Sequence, residues 1–81
     1  MEKGKIIIGS KNIMNYISAV VVEFETNVDV EVSAMGTNIN KQERVIKLLS
    51  KLGVKEIGRE STKINGVQAM ICKLRRCPNQ V

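Results

Sequence analysis

The residues best suited to chemistry are basic side chains in the last third of the chain. Two stretches there alternate as β-strands do, about residues 54–63 and 67–76, and Asn65-Gly66 between them favours a type I′ hairpin turn. The basic side chains form two sets of shared parity on these strands: Lys55, Arg59 and Lys63, then Lys73 and Arg75 with Arg76 beside them. A two-stranded basic ribbon can enter a groove of a nucleic acid and contact phosphates on both walls. The alternative is that these charges only keep the strand ends soluble and prevent edge pairing.

The distribution of charge favours a polyanionic partner. The 81 residues include 13 Lys and Arg against 8 Asp and Glu, for a net charge of +5. Residues 1–40 hold 3 basic and 5 acidic residues (net −2), whereas residues 41–81 hold 10 and 3 (net +7). Such asymmetry predicts one positive face, which a polyanion would bind.

No set of side chains in the sequence assembles a catalytic or metal site. Histidine, the commonest general base, is absent, and the serines have no visible activating partner. A thiolate at Cys72 would need a cation, but its neighbour Lys73 points to the opposite face of a strand. Asp29 and Glu31 share a strand face yet lack a third ligand, so a solvated acidic surface is the better interpretation. Gly9-Ser10-Lys11 reverses the order of a phosphate-binding loop, so we expect no enzymatic activity, cofactor or metal.

The elements that position these residues alternate between strands and helices. Residues 5–9 predict a first strand, whose three consecutive isoleucines indicate burial on both faces, as in a central strand. Apolar residues at helical spacing predict a helix over about residues 12–25. The clearest strand follows, with alternating apolar and polar positions: Val28, Val30, Val32 and Ala34 against Asp29, Glu31, Ser33 and Met35.

A second helix is predicted from Asn40, because Asn40 with Glu43 resembles a capping box. A stripe at helical spacing predicts its buried face: Val45, Leu48, Leu49 and Leu52. Gly53 is a natural stop. The order β-α-β-α-β-β predicts a two-layer α/β sandwich, in which a four-stranded mixed sheet carries two helices on one face.

Length and composition predict a single domain over residues 1–81, with residues 77–81 as a frayed tail. A chain this short buries only about 60% of its unfolded surface, so association would stabilise it. Cys72 is expected to be a buried apolar residue and Cys77 an exposed thiol. No apolar run approaches the roughly 20 residues of a membrane helix and no signal segment is visible, so we expect a cytoplasmic protein without membrane contact.

Two segments at the predicted helix starts carry recognisable motifs. They are Ile8-Gly9-Ser10-Lys11-Asn12-Ile13-Met14-Asn15-Tyr16-Ile17 and Gly36-Thr37-Asn38-Ile39-Asn40-Lys41. The first is similar to the apolar strand, Gly-Lys-Lys-Pro turn and Val-Met-Asn-Tyr-Val helix start of the Alba family. The second resembles the Gly-Arg-Ala-Ile-Ser-Lys turn that opens the second helix of that family. The element order and the basic hairpin agree too, so the resemblance covers nearly the whole chain.

The resemblance implies a dimer, associated with the chromosome, that binds DNA or RNA through backbone phosphates with little sequence preference and serves in the organisation of archaeal chromatin or of ribonucleoproteins. In the family, the loop after the first strand supplies lysines to the backbone, and the two hairpins of the dimer reach out as arms. Lys11 and Lys41 match family lysines by motif position. The hairpin residues match by location only: Arg59, Lys63, Lys73, Arg75 and Arg76. With Ser10, Asn15 and Arg44 they make up the candidate nucleic-acid-binding residues.

The chain also departs from the family pattern. Ser10 replaces the first loop lysine, a position that the family can acetylate, and Asn12 replaces the Pro. Met35 and Thr37 stand where the family often has Arg. The loss of these basic groups and the short hairpin loop predict weaker coating of duplex DNA than is typical of the family.

Two other functions stay open at this point. One is a structured-RNA-binding subunit related to the Alba-like proteins of ribonuclease P. The other is a dimeric protein-interaction scaffold, whose charge only keeps it soluble. The expected partners are double-stranded DNA or RNA and a second copy of the chain, with a heterodimer with a paralogue as an alternative.

Overall fold

A four-stranded sheet and two helices make up the fold. The computed structural model describes residues 4–76, so the predicted frayed tail and Cys77 lie outside the described residues. The elements are β1 (Lys5–Ile7), α1 (Ile13–Glu23), β2 (Asp29–Met35), α2 (Asn38–Ser50), β3 (Val54–Ile64) and β4 (Val67–Arg76). The sheet order is β1-β2-β4-β3, with β1 parallel to β2 and the other pairs antiparallel. The predicted order and the mixed two-layer α/β sandwich are confirmed.

The core lies between the helices and one face of the sheet. The period-2 alternation predicted for β2 is confirmed, since Val30, Val32 and Ala34 are buried. Their neighbours on β4 are Leu74, Cys72 and Met70, which lie on the same face. The helices contribute Ile17 and Val20 from α1 and Val45 and Leu49 from α2. Each such side chain stabilises the fold by about 1.5–3 kcal/mol relative to an exposed one. The opposite side of the sheet, called the open face below, has no helix over it among the described residues.

The first strand differs from its prediction. β1 is an edge strand of 3 residues that pairs with β2 alone, and Ile7 is 77% exposed, whereas Ile6 and Ile8 are buried. The prediction of a central strand buried on both faces is therefore wrong. A run of apolar residues cannot distinguish the two cases, because burial of the second face depends on a layer that local sequence does not specify.

The second helix begins earlier than predicted and is rotated about its axis. Thr37 is its N-cap and makes no side-chain capping bond, so the capping box at Asn40 is wrong. The amides of Ile39 and Asn40 instead donate to the carbonyls of Gly36 and Thr37, at 3.1 and 3.3 Å. Of the predicted buried stripe, Val45 and Leu49 are buried but Leu48 and Leu52 are exposed. Gln42 and Ile46 occupy the buried face in their place.

Gln42 fixes α2 to the sheet through a buried polar contact. Its side chain is fully buried, and Nε2 donates to the carbonyls of Val32 and Met70 at 2.8 and 3.1 Å. These two carbonyls belong to adjacent strands, so one amide group joins three elements. Its Oε1 has no hydrogen-bond partner among the described residues. Buried polar contacts of this kind specify one packing arrangement, because any shift of the helix leaves the donor unsatisfied.

The hairpin forms as predicted, but a β-bulge changes which face its side chains occupy. Asn65 and Gly66 both have positive φ, 52° and 79°, as a type I′ turn requires. The pairing of β3 with β4 shifts between Glu56 and Gly58. A bulge adds one residue to one strand and thereby reverses the parity of every residue beyond it.

The bulge separates the three basic residues predicted to share one face of β3. Lys55 pairs with Arg75 on the open face, whereas Arg59 pairs with the buried Cys72 on the helix side. Lys63 has the same parity as Arg59. The predicted shared parity of Lys55 with the other two is therefore wrong. Parity counting assumes an unbroken ladder, and nothing local marked the bulge at Ile57.

Cys72 is buried as predicted, and its thiol is correspondingly weakly acidic. Burial raises the pKa of the Cys72 thiol from 9.0 to about 11. Because the pKa of this thiol is higher in the folded chain than in the unfolded chain, the buried thiol contributes fully to the free energy of unfolding below about pH 9. That contribution is lost as the pH rises towards 11 and the thiol ionises.

We expect the Cys72 thiol to react with a thiol reagent at about pH 8 only when the chain is unfolded. The measurement uses Cys77→Ser, which leaves Cys72 as the remaining thiol of the two in the sequence. In addition, the stability advantage of this variant over Cys72→Ala/Cys77→Ser should narrow as the pH rises from about 9 to about 11. Rapid labelling of the native protein would contradict the burial of this thiol.

No helix in the described residues is long and apolar enough to cross a membrane. Within the same residues no three His, Cys, Asp or Glu side chains come together as a metal site would require.

Candidate nucleic-acid interface

The loop between β1 and α1 is held in place by a tyrosine hydroxyl. Tyr16 is buried, and its Oη accepts hydrogen bonds from the backbone amides of Gly9 and Lys11, at 2.7 and 3.0 Å. One phenol oxygen thus satisfies two amides that no strand or helix pairs. These bonds fix the backbone of the turn at Gly9 and Lys11, from which the exposed Lys11 side chain extends.

Lys41 of α2 also holds this loop, and Tyr16 and Lys41 together are called the clamp. Its Nζ donates to the carbonyls of Gly9 and Lys11, both at 2.8 Å, and lies 5.9 Å from the centroid of the Tyr16 ring. A cation at this distance is attracted to the ring face. The observed contacts of Lys41 are therefore to the protein. Its predicted contact with phosphate stays a prediction, and the role that the structure gives it is to hold the loop.

Around the clamp lie the side chains that we call the loop cluster: Ser10, Lys11, Asn15, Lys41 and Arg44. Ser10, Lys11, Asn15 and Arg44 are exposed. Asn12 caps α1 by accepting from the amide of Asn15 at 3.1 Å. Arg44 lies one turn after Lys41 on the same side of α2. Within residues 4–76, Lys11 and Arg44 have no acidic partner, so their charges are available to a ligand.

A hollow opens beside the loop cluster, between the first turns of the two helices. It measures about 270 Å³ and is lined by Ile13, Asn40, Lys41 and Arg44. Ile13 packs against the core and gives the hollow an apolar side, while the other three residues are polar or charged. Sequence reasoning assigned Asn40 to a cap, so this position of its side chain was missed.

On the hairpin, Arg59 is neutralised by two carboxylates. Its guanidinium contacts Glu43 of α2 through Nη1 at 2.6 Å and Nη2 at 2.9 Å, and Glu56 of β3 through Nε at 2.6 Å. These bonds hold the pKa of Glu43 below its usual value and raise the pKa of Arg59. Arg59 was predicted to contact phosphate, and any phosphate would have to compete with this bidentate pair.

Arg75 and Arg76 also have partners within the chain. Arg75 donates to the Asp29 carboxylate through Nε at 2.7 Å and Nη2 at 3.1 Å, which lowers the pKa of Asp29. The guanidinium carbon of Arg76 lies 6.0 Å from the centroid of the Phe24 ring. Arg75 is on the open face and Arg76, opposite Val54, is on the helix side.

Of the five hairpin candidates, Lys63 and Lys73 are the two whose ammonium groups are exposed without an ion-pair partner among the described residues. They lie on different faces, since Lys63 has the parity of Arg59 and Lys73 pairs with Gly58 on the open face. The structure therefore brings Lys11, Lys41 and Arg44 together around the loop, with Ser10 in that loop and Asn15 on the first turn of α1, and it disperses the hairpin set. Lys41 and Glu43 point to opposite flanks of α2, so Arg59 does not join the loop cluster.

The pairing of Arg59 with Glu43 leads to a testable expectation. Replacing Glu43 by Gln frees one side of the guanidinium and removes a negative charge, so we expect nucleic-acid affinity to rise about threefold. Fluorescence anisotropy at fixed salt measures this. Glu60→Gln is the matched control, because it removes the same charge from β3 without releasing Arg59. An equal rise in both variants would show a general charge effect instead.

Sequence reasoning found Lys11, Lys41 and Arg44. It missed the hydrogen bonds that fix the loop and the ion pair that engages Arg59. Tyr16 was visible as part of the Met-Asn-Tyr motif, yet its bonds to two amides depend on the path of the loop. Glu43 was assigned to a cap and is an ion-pair partner. The pairing joins residues 16 positions apart on different elements, so no local pattern signals it.

Comparison with solved structures shows the class to which this fold belongs. The crystal structure of ALBA1 from Trypanosoma brucei is similar, with a TM-score of 0.88 and 15% sequence identity over 95% of this chain and 73% of that chain. The chain therefore has the Alba-like fold that its motifs resemble. No family model and no curated protein matches the sequence.

Proposed function

We propose that this chain is a non-enzymatic protein that binds DNA or RNA through backbone phosphates, with little dependence on sequence. The loop cluster is the observation that carries the proposal. Two cations of this cluster have no acidic partner among the described residues: Lys11, in a loop whose backbone Tyr16 and Lys41 hold through hydrogen bonds, and Arg44 on α2. Groups held in position before the ligand arrives bind more tightly, because less conformational entropy is lost.

The hairpin has a secondary role in this proposal. Lys63 and Lys73 are exposed, while Arg59 and Arg75 are engaged with carboxylates in the free protein. Contacts from the hairpin to the phosphates of a nucleic acid would therefore come first from Lys63 and Lys73. The part of the hairpin that extends beyond the end of β2 is also short. The pairing of β2 with β4 reaches Ala69, and the turn at Asn65 and Gly66 lies only a few residues from it.

A dimer doubles the phosphate contacts, and exposed apolar side chains support association. Leu48 on α2, Leu52 in the turn that follows α2, and Ile57 on β3 are 39%, 62% and 40% exposed. Apolar surface of this kind on a small domain commonly marks an interface. A homodimer is the proposed assembly, with a heterodimer with a paralogue as the alternative, and the proposed location is the chromosome in the cytoplasm. Sedimentation at micromolar concentration tests the dimer.

The salt dependence of binding tests the proposed function. If a dimer neutralises about four to six phosphates, the logarithm of the affinity should fall against the logarithm of the salt concentration with a slope of about −4 to −5. The measurement compares duplex DNA, single strands and structured RNA. A flat response would contradict phosphate binding and favour the protein-interaction scaffold. A preference of tenfold or more for structured RNA over duplex DNA would favour the ribonuclease P-like alternative.

A further inference from the structure

The hollow beside the loop cluster has the chemistry of a nucleobase site. Asn40, Lys41 and Arg44 share one side of α2 by helical spacing, and Ile13 opens α1 opposite them. We infer that this hollow binds one unpaired nucleobase of a nucleic acid whose phosphates lie on the loop cluster. The inference rests on the proposed function and specifies its ligand further.

The size of the hollow limits what can occupy it. At about 270 Å³ it falls just below the roughly 300–1,000 Å³ of pockets that hold drug-sized ligands. One flat heterocycle fits such a space. A base inside a continuous duplex is stacked and paired, so only a base turned out of the helix, as in a bulge or loop, can enter.

The lining matches the surface of a base. The carboxamide of Asn40 is exposed, makes no side-chain hydrogen bond within the described residues, and can donate to and accept from one base edge. Asparagine pairs in this way with the N6 and N7 groups of adenine. The planar guanidinium of Arg44 can stack on a ring, and Ile13 supplies apolar contact.

The clamp connects the hollow to the phosphate site. Lys41 lines the hollow, and the same Nζ is bonded to the carbonyls of Gly9 and Lys11. Lys41 therefore links the proposed base site directly to the backbone of Lys11, the lysine proposed to bind phosphate. In this inference a nucleotide whose phosphate contacts Lys11 or Arg44 places its unpaired base in the hollow that Arg44 lines, whereas a fully paired helix uses the phosphate contacts alone.

The test uses three RNA hairpins that are identical except at one position. The first is fully paired, the second carries a single bulged adenosine, and the third carries an abasic nucleotide at the bulge. We expect the wild-type protein to bind the adenosine bulge about tenfold more tightly than the other two. The abasic hairpin separates recognition of the base from flexibility of the backbone.

Two variants locate the effect. Asn40→Ala should remove most of the preference for the adenosine bulge while leaving affinity for the fully paired hairpin unchanged within about twofold. Alanine favours a helix, and Asn40 is exposed, so this variant retains the fold. Lys47→Ala, another exposed position of α2, is the matched control and should keep the full preference.

The outcomes distinguish the base site from the proposed phosphate binding. Equal binding of the three hairpins, or equal preference for the adenosine and abasic bulges, would overturn the base site and leave phosphate binding intact. A preference that survives in Asn40→Ala would place the base elsewhere and also overturn it. Binding of none of the hairpins would contradict the proposed function itself.

Discussion

Replacing Lys11 and Arg44 together by alanine is expected to weaken binding of every nucleic-acid sequence at least about 100-fold at physiological salt. Both side chains are exposed and lack acidic partners among the described residues, so their full charge is available to phosphate. A dimer would lose four contacts. Because each charge-assisted contact contributes on the order of 1.5 kcal/mol or more, the combined loss is large even if the contacts are not additive.

The salt slope provides a second readout of the same change. Loss of about four phosphate contacts should flatten the slope from between about −4 and −5 to near −1. Duplexes of unrelated sequence should be affected alike, since phosphate contacts carry no sequence information.

The matched control removes the same charge from another part of the same helix. Lys47 is exposed on the last turn of α2 and Lys51 is its exposed C-cap residue, and the double variant Lys47→Ala/Lys51→Ala lowers the net charge equally. We expect this control to lose less than about fivefold in affinity. An equal loss in both double variants would show that binding depends on overall charge and would contradict the loop cluster as the contact surface.

Replacing Tyr16 by phenylalanine is expected to reduce stability by about 2 kcal/mol, because the amides of Gly9 and Lys11 lose their shared acceptor. For a domain of this size that lowers the melting temperature by about 10 °C. Lys41 cannot substitute for the lost oxygen, since its ammonium group donates to carbonyls and accepts nothing.

The same substitution should weaken nucleic-acid binding about tenfold, because an unclamped loop must be ordered when the ligand binds. Tyr16 is buried, so it makes this contribution without touching the ligand. Calorimetry measures the stability, and anisotropy measures the affinity well below the melting temperature.

A control separates the clamp from general destabilisation. Ile17→Val shortens a buried residue of the same helix and should cost about 1 kcal/mol without altering the loop. Its affinity should equal that of the wild type. If Tyr16→Phe loses stability but binds as the wild type does, the clamp has no part in binding and Lys11 acts from a flexible loop.

Most of the fold could be predicted from local pattern. The alternation of Val30, Val32 and Ala34 determined which face of β2 is buried, and Asn65-Gly66 determined where the hairpin turns. These features depend on side-chain periodicity and on the backbone angles that two residues accept, so a window of a few residues contains the information. Lys11 and Lys41 of the loop cluster followed from their positions in two short motifs.

The structural predictions that were wrong share a different cause. The edge position of β1, the rotation of α2 and the reversed parity beyond Ile57 each depend on a neighbouring element rather than on the segment itself. Strand pairing and helix rotation are chosen by the whole core, because a few kcal/mol of packing outweigh local capping and spacing preferences.

The basic hairpin and the loop motifs were thus determined by the sequence, and from them a polyanionic partner was predicted. Only the tertiary structure decided which of those charges are free. It joins Arg59 to Glu43 and Arg75 to Asp29, and within residues 4–76 it leaves Lys11, in the clamped loop, and Arg44 without an acidic partner. The physical reason is that Coulomb energies depend on distances of a few ångström between residues far apart in sequence, and those distances exist only after folding.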